Sequence, residues 1–378
     1  MKKAILISPF FFPEKISSAK YNHEFALELQ ANYEVEILCS HPFYPEWKET
    51  KVFKDLDGIK ITRGSAPFNY PQNNLLRRAL LEVWFMFFCL KNINTIKRND
   101  LIFAIIPPSL FMIFIFFLAS KSTYAIIHDL QSVHINPQNN IFKKILSFLV
   151  EFIEGKFLMR FEKLFFLSNE MMTKAKKSLS LERHECHVVY PPITQTSFID
   201  NCRLDHLFDR KKISIVYSGA LGEKQNPTAL FNLAEEIVLA NQDVEFLFFS
   251  GGMSYQKLKE LNENPNIKFN DLVPEENLGE LLLKSDIQII PQLSGTSSGS
   301  LPSKLPNVLA SGSAIFAIVD EGSEIENILL KQKNCFVSNT WHTPQNIKIL
   351  NEIFENCKTK TCRNNDLDAF KNKISDLI

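Results

Sequence analysis

A chain of 378 residues has room for two domains with separate cores, and its 42 basic and 42 acidic side chains cancel, which removes the global positive charge expected of a nucleic-acid binder. Seven cysteines without a CxxC pair exclude a disulfide framework or a zinc site built on that motif, and suit a reducing cytosol. The balance is not even along the chain: Met1 to Tyr190 holds 24 Lys+Arg and 18 Asp+Glu, a net of +6, and Pro191 to Ile378 holds 18 and 24, a net of −6. A basic first half hints at contact with an anionic surface.

In chain order, MKKAILISPFFFPE has two lysines but only a short apolar run before Pro13 and Glu14, so it reads as a buried strand, Ala4 to Ser8, and not as a signal peptide. The loop PFFFPEKISSAKYNHEF leads into a helix over Ser18 to Leu29, with Ser17 and Ser18 as a serine cap open to a substrate hydroxyl or phosphate. Strands follow at Glu34 to Cys39 and Ile59 to Arg63. Leu76 to Ile93, LRRALLEVWFMFFCLKNI, carries four large aromatics behind Arg77 and Arg78, which suits either an interfacial surface or a core helix in a chain with 33 Phe.

Leu101 to Ser120 has the length and lack of charge of a membrane span. Pro107 and Pro108 divide it into a strand ending near Ile106 and a helix beginning at Pro108. Further strands fall at Thr123 to His128 and Lys163 to Ser168, then a short one within His187 to Ile193, where a proline pair marks a boundary. His128 and Asp129 stand at a strand end, where a histidine beside a carboxylate can bind a sugar hydroxyl, orient a base or act as one. His134 is a weaker candidate, and HECH, His184 to His187, lacks further ligands for a metal.

The pattern restarts with strands at Ile213 to Gly219, Glu245 to Gly251, Ile267 to Asn270, Ile287 to Gln292, Ala314 to Val319 and Cys335 to Ser338. Helices lie at Pro227 to Ala240, Ser254 to Asn262, Glu275 to Lys284 and Ser323 to Lys331. Short apolar runs alternating with helical patterns signify parallel sheets covered by helices, so the fold class is α/β, with two doubly wound domains in series and ligands beyond the carboxyl ends of the strands. The expected domains are 1–192, 193–361 and a helical tail, 362–378, packing back on the first.

Two loops in the second half suit an anion. SGALGEKQNP, Ser218 to Pro227, has two glycines and Lys224 before a helix, but matches neither a Walker A motif nor GxGxxG. SGSLPSKLPNVLASGSAIF, Ser298 to Phe316, offers small residues, Lys304 and a helix expected to start near Pro302. Read locally, the second could equally be an ordinary strand–turn–helix–turn–strand passage.

Taken together, SPFFFPE, SHPFYPEWK, HDLQ, YSGALGEKQ and LPSKLPNVLASG resemble the bacterial family 4 glycosyltransferases of the GT-B fold. Among these the chain looks closest to the branch of capsule, colanic-acid and O-antigen clusters that includes fucosyl- and N-acetylfucosaminyltransferases. The resemblance implies two Rossmann-like domains facing a central cleft and a nucleotide-diphosphate sugar as donor. It also implies a lipid-linked or oligosaccharide acceptor, no metal or cofactor, generally retaining chemistry, and a cytoplasmic place at the inner face of the membrane. By position it implies Lys224 at the donor diphosphate, with Gly219 and Gly222 allowing close backbone approach, and Ser303 and Lys304 beside them. Gly299, Ser300, Leu301 and Asn307 fall at the donor sugar and nucleotide, and His128 with Asp129 near the reacting sugar.

Two glutamates, eight residues apart in most of the family, are Gly299 and Asn307 here. That loss implies altered donor recognition, and it keeps open a non-catalytic, nucleotide-sugar-binding scaffold. A nucleotide-sugar 2-epimerase is a further alternative, but it would need paired acids that the sequence does not place.

Overall fold

The structure, a computed structural model, describes all residues except 15, 45, 53–55, 114–120, 131–153, 196, 298–300, 359–364 and 372. It divides into two units, Met1–Pro192 with Lys371–Ile378, and Ile193–Phe370.

The first unit is built on a parallel sheet of seven strands, β1 Lys3–Ile7, β2 Glu34–Ser40, β3 Lys60–Gly64, β4 Leu101–Ile106, β5 Ser122–Ile127, β6 Lys163–Phe166 and β7 Cys186–Val188, in the order β3-β2-β1-β4-β5-β6-β7. All six residues of β4, LIFAII, are buried, as expected of a strand covered on both faces. The apolar run from Leu101 therefore begins as a central strand, and among the described residues no helix is long and apolar enough to cross a membrane. After the two prolines the described chain makes a tight turn over 110–113, and the rest of the expected helix lies outside the described residues.

Helices α1 Ser17–Gln30, α2 Asn74–Lys91, α3 Ile93–Lys97 and α4 Asn169–Ser178 accompany this sheet. The α4 terminus is fixed by Ser168, whose hydroxyl accepts from the Met171 amide. Two cores lie in the unit, one around Trp84, Phe85 and Phe161, the other around Tyr21, Phe25 and Phe165. The C-terminal segment joins the second: Ile374 is buried in it, Ser375 N donates to Glu28 Oε1 at 2.7 Å, and Lys163 Nζ donates to Leu377 O at 2.8 Å. This tail forms short 3₁₀ turns, Asp368–Phe370 and Ile374–Asp376.

The second unit holds a parallel sheet of six strands, β8 Ile213–Ser218, β9 Val244–Phe249, β10 Ile267–Asn270, β11 Ile287–Pro291, β12 Ala314–Ile318 and β13 Cys335–Ser338, in the order β10-β9-β8-β11-β12-β13. Its helices are α5 Pro227–Ala240, α6 Met253–Leu261, α7 Leu278–Lys284, α8 Leu305–Ser311, α9 Glu324–Leu329 and α10 Thr343–Lys358. Pro227 opens α5 at a position where a missing N–H costs nothing. The helix expected near Pro302 starts at Leu305, and Lys304 is its N-cap.

Both sheets reverse their winding once, between β1 and β4 and between β8 and β11. At such a point the loops diverge to opposite faces and leave a crevice beyond the carboxyl ends of the strands. Within each unit, those crevices are where functional side chains are to be sought.

Candidate functional site

At the switch point of the second sheet, β8 ends in Ser218 and the chain turns at Gly219 with φ +127, a conformation that a side chain would strain. A Cβ built there meets nothing within 4 Å, so the backbone faces open space. The loop then makes a 3₁₀ turn over Glu223–Gln225, closed by Gly222 N donating to Gln225 Oε1 at 3.0 Å. Lys224 is exposed on this turn. Its carbonyl accepts from Leu293 N at 2.8 Å, tying the loop after β8 to the loop after β11, while its ammonium has no partner among the described residues. The loop after β11 is ordered in turn by Asp320, whose carboxylate accepts from Gly295 N at 2.8 Å and Ser297 N at 2.9 Å. Those bonds hold the Asp320 carboxyl below its ordinary range against the opposing effect of burial.

Lys304 departs from its expected role. Its ammonium turns inward, donating to Ile289 O at 3.1 Å and Ser218 O at 3.4 Å, and lies 4.2 Å from the centre of the Tyr217 ring. Backbone pairing between β8 and β11 stops at Val216 and Gln288, so the ammonium bridges two strands where their ladder has parted. Desolvation pushes Lys304 down to about 7. In that position it braces the Ser218–Gly219 turn from beneath. The Tyr217 hydroxyl supports the same turn, donating to Ala220 O at 2.5 Å.

Asn307, expected at the donor, is also engaged within the protein. It is buried on α8, its Oδ1 accepts from Thr194 N at 2.9 Å and Gln195 N at 3.0 Å, and its Nδ2 donates to Thr194 Oγ1 at 3.0 Å. All of this binds the segment entering the second unit to α8. Leu301 is half-buried and Ser303 exposed, whereas Gly299 and Ser300 lie outside the described residues.

In the first unit, His128 follows β5 and its amide donates to Ile106 O at 2.8 Å, at the end of β4. The imidazole lies against the rings of Tyr21 and Phe25, at 5.9 and 6.3 Å between centroids. Both ring nitrogens are buried with no partner among the described residues. Desolvation pushes His128 down to about 4 despite the neighbouring Asp129, so the ring is neutral at physiological pH. Asp129 Oδ1 accepts from Leu130 N at 2.9 Å. His134 lies outside the described residues.

Ser17 and Ser18 are the first two residues of α1, and neither is its cap: the N-cap is Ile16, without a side-chain hydrogen bond. The loop after β1 is organised by two residues that sequence patterning leaves unmarked. Asn22 Nδ2 donates to Ser8 Oγ at 3.0 Å and Phe10 O at 2.8 Å. Glu14 Oε1 accepts from Phe43 N at 2.8 Å and Tyr44 N at 2.6 Å, and burial raises Glu14 to about 7. The signal for Glu14 was its place in SPFFFPE, an acid closing an otherwise apolar stretch.

One group of metal-capable side chains occurs among the described residues, Asp200, Cys202 and Asp205. The Lys284 ammonium, 2.7 Å from Asp200 and 2.5 Å from Asp205, makes it an ion-pair cluster.

A relative in Escherichia coli (strain K12), described as a putative colanic acid biosynthesis glycosyl transferase, WcaI, is 24% identical over 329 residues, covering 80% of this chain and 79% of its own. The solved structure of WaaG, a glycosyltransferase involved in lipopolysaccharide biosynthesis, superposes with a TM-score of 0.66 at 11% identity, covering 99% of both chains. The chain has the GT-B fold. Sucrose-phosphate synthase from Thermosynechococcus elongatus shares the fold at a TM-score of 0.65 and 12% identity, over 98% of this chain and 92% of that one. No family model matches. The resemblance to family 4 glycosyltransferases therefore stands on the relative and the fold together, and it leaves the fucosyl branch open.

Proposed function

We propose that this GT-B glycosyltransferase moves a hexose, of deoxy or N-acetylated type, from a nucleotide-diphosphate sugar to a lipid-linked or growing saccharide in surface polysaccharide biosynthesis, with retention at the anomeric carbon. The observation that carries the donor side is the loop after β8, where an open glycine turn at Gly219 and the ammonium of Lys224, without a partner among the described residues, meet at the sheet's switch point. Backbone amides fixed there, with the ammonium of Lys224, offset the charge that develops on a leaving diphosphate. Lys304 acts from beneath by holding the turn. His128, neutral and with neither ring nitrogen partnered among the described residues, suits a hydrogen bond to a sugar hydroxyl better than proton storage.

Helix α2 supports the membrane side of the reading. Leu81, Trp84, Phe85 and Cys89 are buried in the core, while Leu76, Val83, Phe87 and Leu90 form an exposed stripe on the other side, with Arg78 and Lys91 exposed on the same helix. An apolar stripe flanked by cations suits the inner face of an anionic membrane.

Thermal stabilisation of the purified protein by UDP, GDP, dTDP and CMP sugars tests the donor assignment, followed by product formation with bacterial membranes as acceptor source. One stabilising nucleotide sugar, consumed to product, is the expected result. Stabilisation without turnover would instead support the scaffold reading, and no response to any of the four would remove the donor site. Co-sedimentation with phosphatidylglycerol vesicles, weakened by Phe87→Ser, tests the α2 surface, which is refuted if the parent stays in solution.

A further inference from the structure

Beyond the carboxyl ends of β2 and β3 the first unit contains a cavity of about 230 Å³. Its walls are aromatic: Tyr70 stacks on Phe43 at 5.2 Å, Trp47 meets Tyr70 edge-on at 5.2 Å, and Phe68 does the same at 5.4 Å. Trp84 closes the α2 side, and Glu49 and Asn69 add a carboxylate and an amide. The Tyr70 hydroxyl is buried with no hydrogen-bond partner among the described residues. A buried donor left unpaired is costly, and in a lined cavity its missing partner points to a ligand.

We propose that this cavity binds one sugar ring of the acceptor, and that the ring is not the one that reacts. Aromatic walls with a few polar groups match a pyranose, whose C–H faces are apolar and whose rim is hydroxyl. The volume is below the roughly 300–1,000 Å³ of drug-sized sites and fits one ring. A quaternary cation fits less well, because the Arg77 guanidinium already lies 4.1 Å from the centre of the Trp47 ring, and the Asn69 amide and Tyr70 hydroxyl offer donors that a cation cannot use.

The position of the cavity adds the second half of the proposal. In the order β3-β2-β1-β4-β5, β2 is three strands from the strand that ends at His128, and β3 is four. At the usual interstrand spacing that is roughly 14–19 Å along the sheet edge. No single pyranose spans that distance, so a ring in the cavity belongs to an acceptor of several sugars whose far end reaches His128. This step rests on the glycosyltransferase reading; ring binding itself does not.

The test is a titration of the parent with methyl glycosides of glucose, galactose, fucose and N-acetylglucosamine, read by saturation-transfer NMR and by fluorescence of Trp47 and Trp84. Tyr70→Phe and Asn69→Ala are the variants. At least one glycoside is expected to bind, and Tyr70→Phe to weaken it roughly 2–10-fold, the worth of one neutral hydrogen bond, with thermal stability unchanged or raised because the orphaned hydroxyl is gone. Binding of choline in preference to all four glycosides, no binding at all, or binding unchanged in both variants each overturns the ring site. In a transfer assay Tyr70→Phe should raise the KM for an oligosaccharide acceptor and leave both kcat and the KM for a monosaccharide acceptor unchanged. An equal effect on both acceptors overturns the spacing. Nucleotide-sugar stabilisation, measured separately, reports on the donor assignment and is unaffected by any of these outcomes.

Discussion

Replacing Lys304 with Met separates a brace from a ligand. The substitution keeps an unbranched chain of similar length but removes both hydrogen bonds to Ser218 O and Ile289 O and the cation over Tyr217. Bonds from a charged donor are worth about 1.5–3 kcal/mol each, and each carbonyl left buried loses about 1–3 kcal/mol. Against this, the substitution recovers the desolvation that depresses the lysine. A net loss of about 2–4 kcal/mol is expected, or roughly 4–15 °C in the melting of a unit this size. Fluorescence of Trp341, which lies in the same unit and donates to Gln292 O at 3.0 Å, follows that transition. There is also a pH signature. With the folded lysine at about 7 and an ordinary value of 10.5, the unfolded chain binds the extra proton between those limits. The parent should therefore gain stability as pH rises from 7 towards 10.5 and lose it as pH falls, while Lys304→Met is flat. A variant that melts like the parent yet fails to bind a nucleotide diphosphate would refute the brace and return Lys304 to the ligand.

Lys224→Ala should do the reverse, weakening nucleotide-diphosphate binding by about 1.5–3 kcal/mol in calorimetric titration with melting unchanged, because the ammonium is exposed and has no partner among the described residues. His128→Ala should lower transfer more than donor binding, and equal rates in parent and variant would make the histidine structural. His128, at about 4 when folded and ordinarily 6.5, should add stability that is present above pH 6.5 and lost as pH falls to 4; the alanine variant lacks that slope in denaturant titrations. Glu14, raised from 4.5 to about 7, behaves oppositely: its contribution is present below pH 4.5 and lost as pH rises through 7, so Glu14→Gln should remove that decline.

The sheets were legible because their evidence is local. Each buried strand is a short apolar run, and such runs as LIFAII and FLFF cannot be solvated without cost, so strand identity follows from a few adjacent residues. Helix starts were less legible. Ser17 and Ser18 have cap chemistry, yet the N-cap is one residue earlier at Ile16, in extended backbone and without a side-chain hydrogen bond. The site divided in the same manner. Gly219 needs only its own φ and open space, which a glycine before a helix foreshadows. The inward turn of Lys304 depends on β8 and β11 parting above Val216 and Gln288, and strand pairing across 71 or more positions leaves no trace in the seven residues around a lysine. Tyr70 and Trp47 were equally hidden: their cavity is assembled from the ends of two strands and one helix.

The fate of Lys304 and Asn307 changes where donor specificity should be sought. Two of the three polar side chains of LPSKLPN are engaged by the fold, Lys304 holding β8 to β11 and Asn307 holding Thr194 and Gln195, so neither can discriminate sugars without loosening a strand end or a segment of backbone, while Ser303 stays exposed. The groups that face open space at the same sheet edge are the backbone at Gly219, Gly251, Gly252 and Gly295, with Lys224 and Ser303 exposed beside it. Backbone amides bind a diphosphate in any nucleotide sugar, whereas side chains choose among sugars. Substitutions at Gly251 and Gly295, where a Cβ meets nothing within 4 Å, should therefore change the preferred donor with less loss of stability than any change at Lys304 or Asn307, though the φ of +83 makes Gly295 the costlier of the two. Competition among nucleotide sugars for Gly251→Ser, compared with its melting temperature, measures both quantities at once, and an unaltered preference across the panel would place the selecting contacts elsewhere.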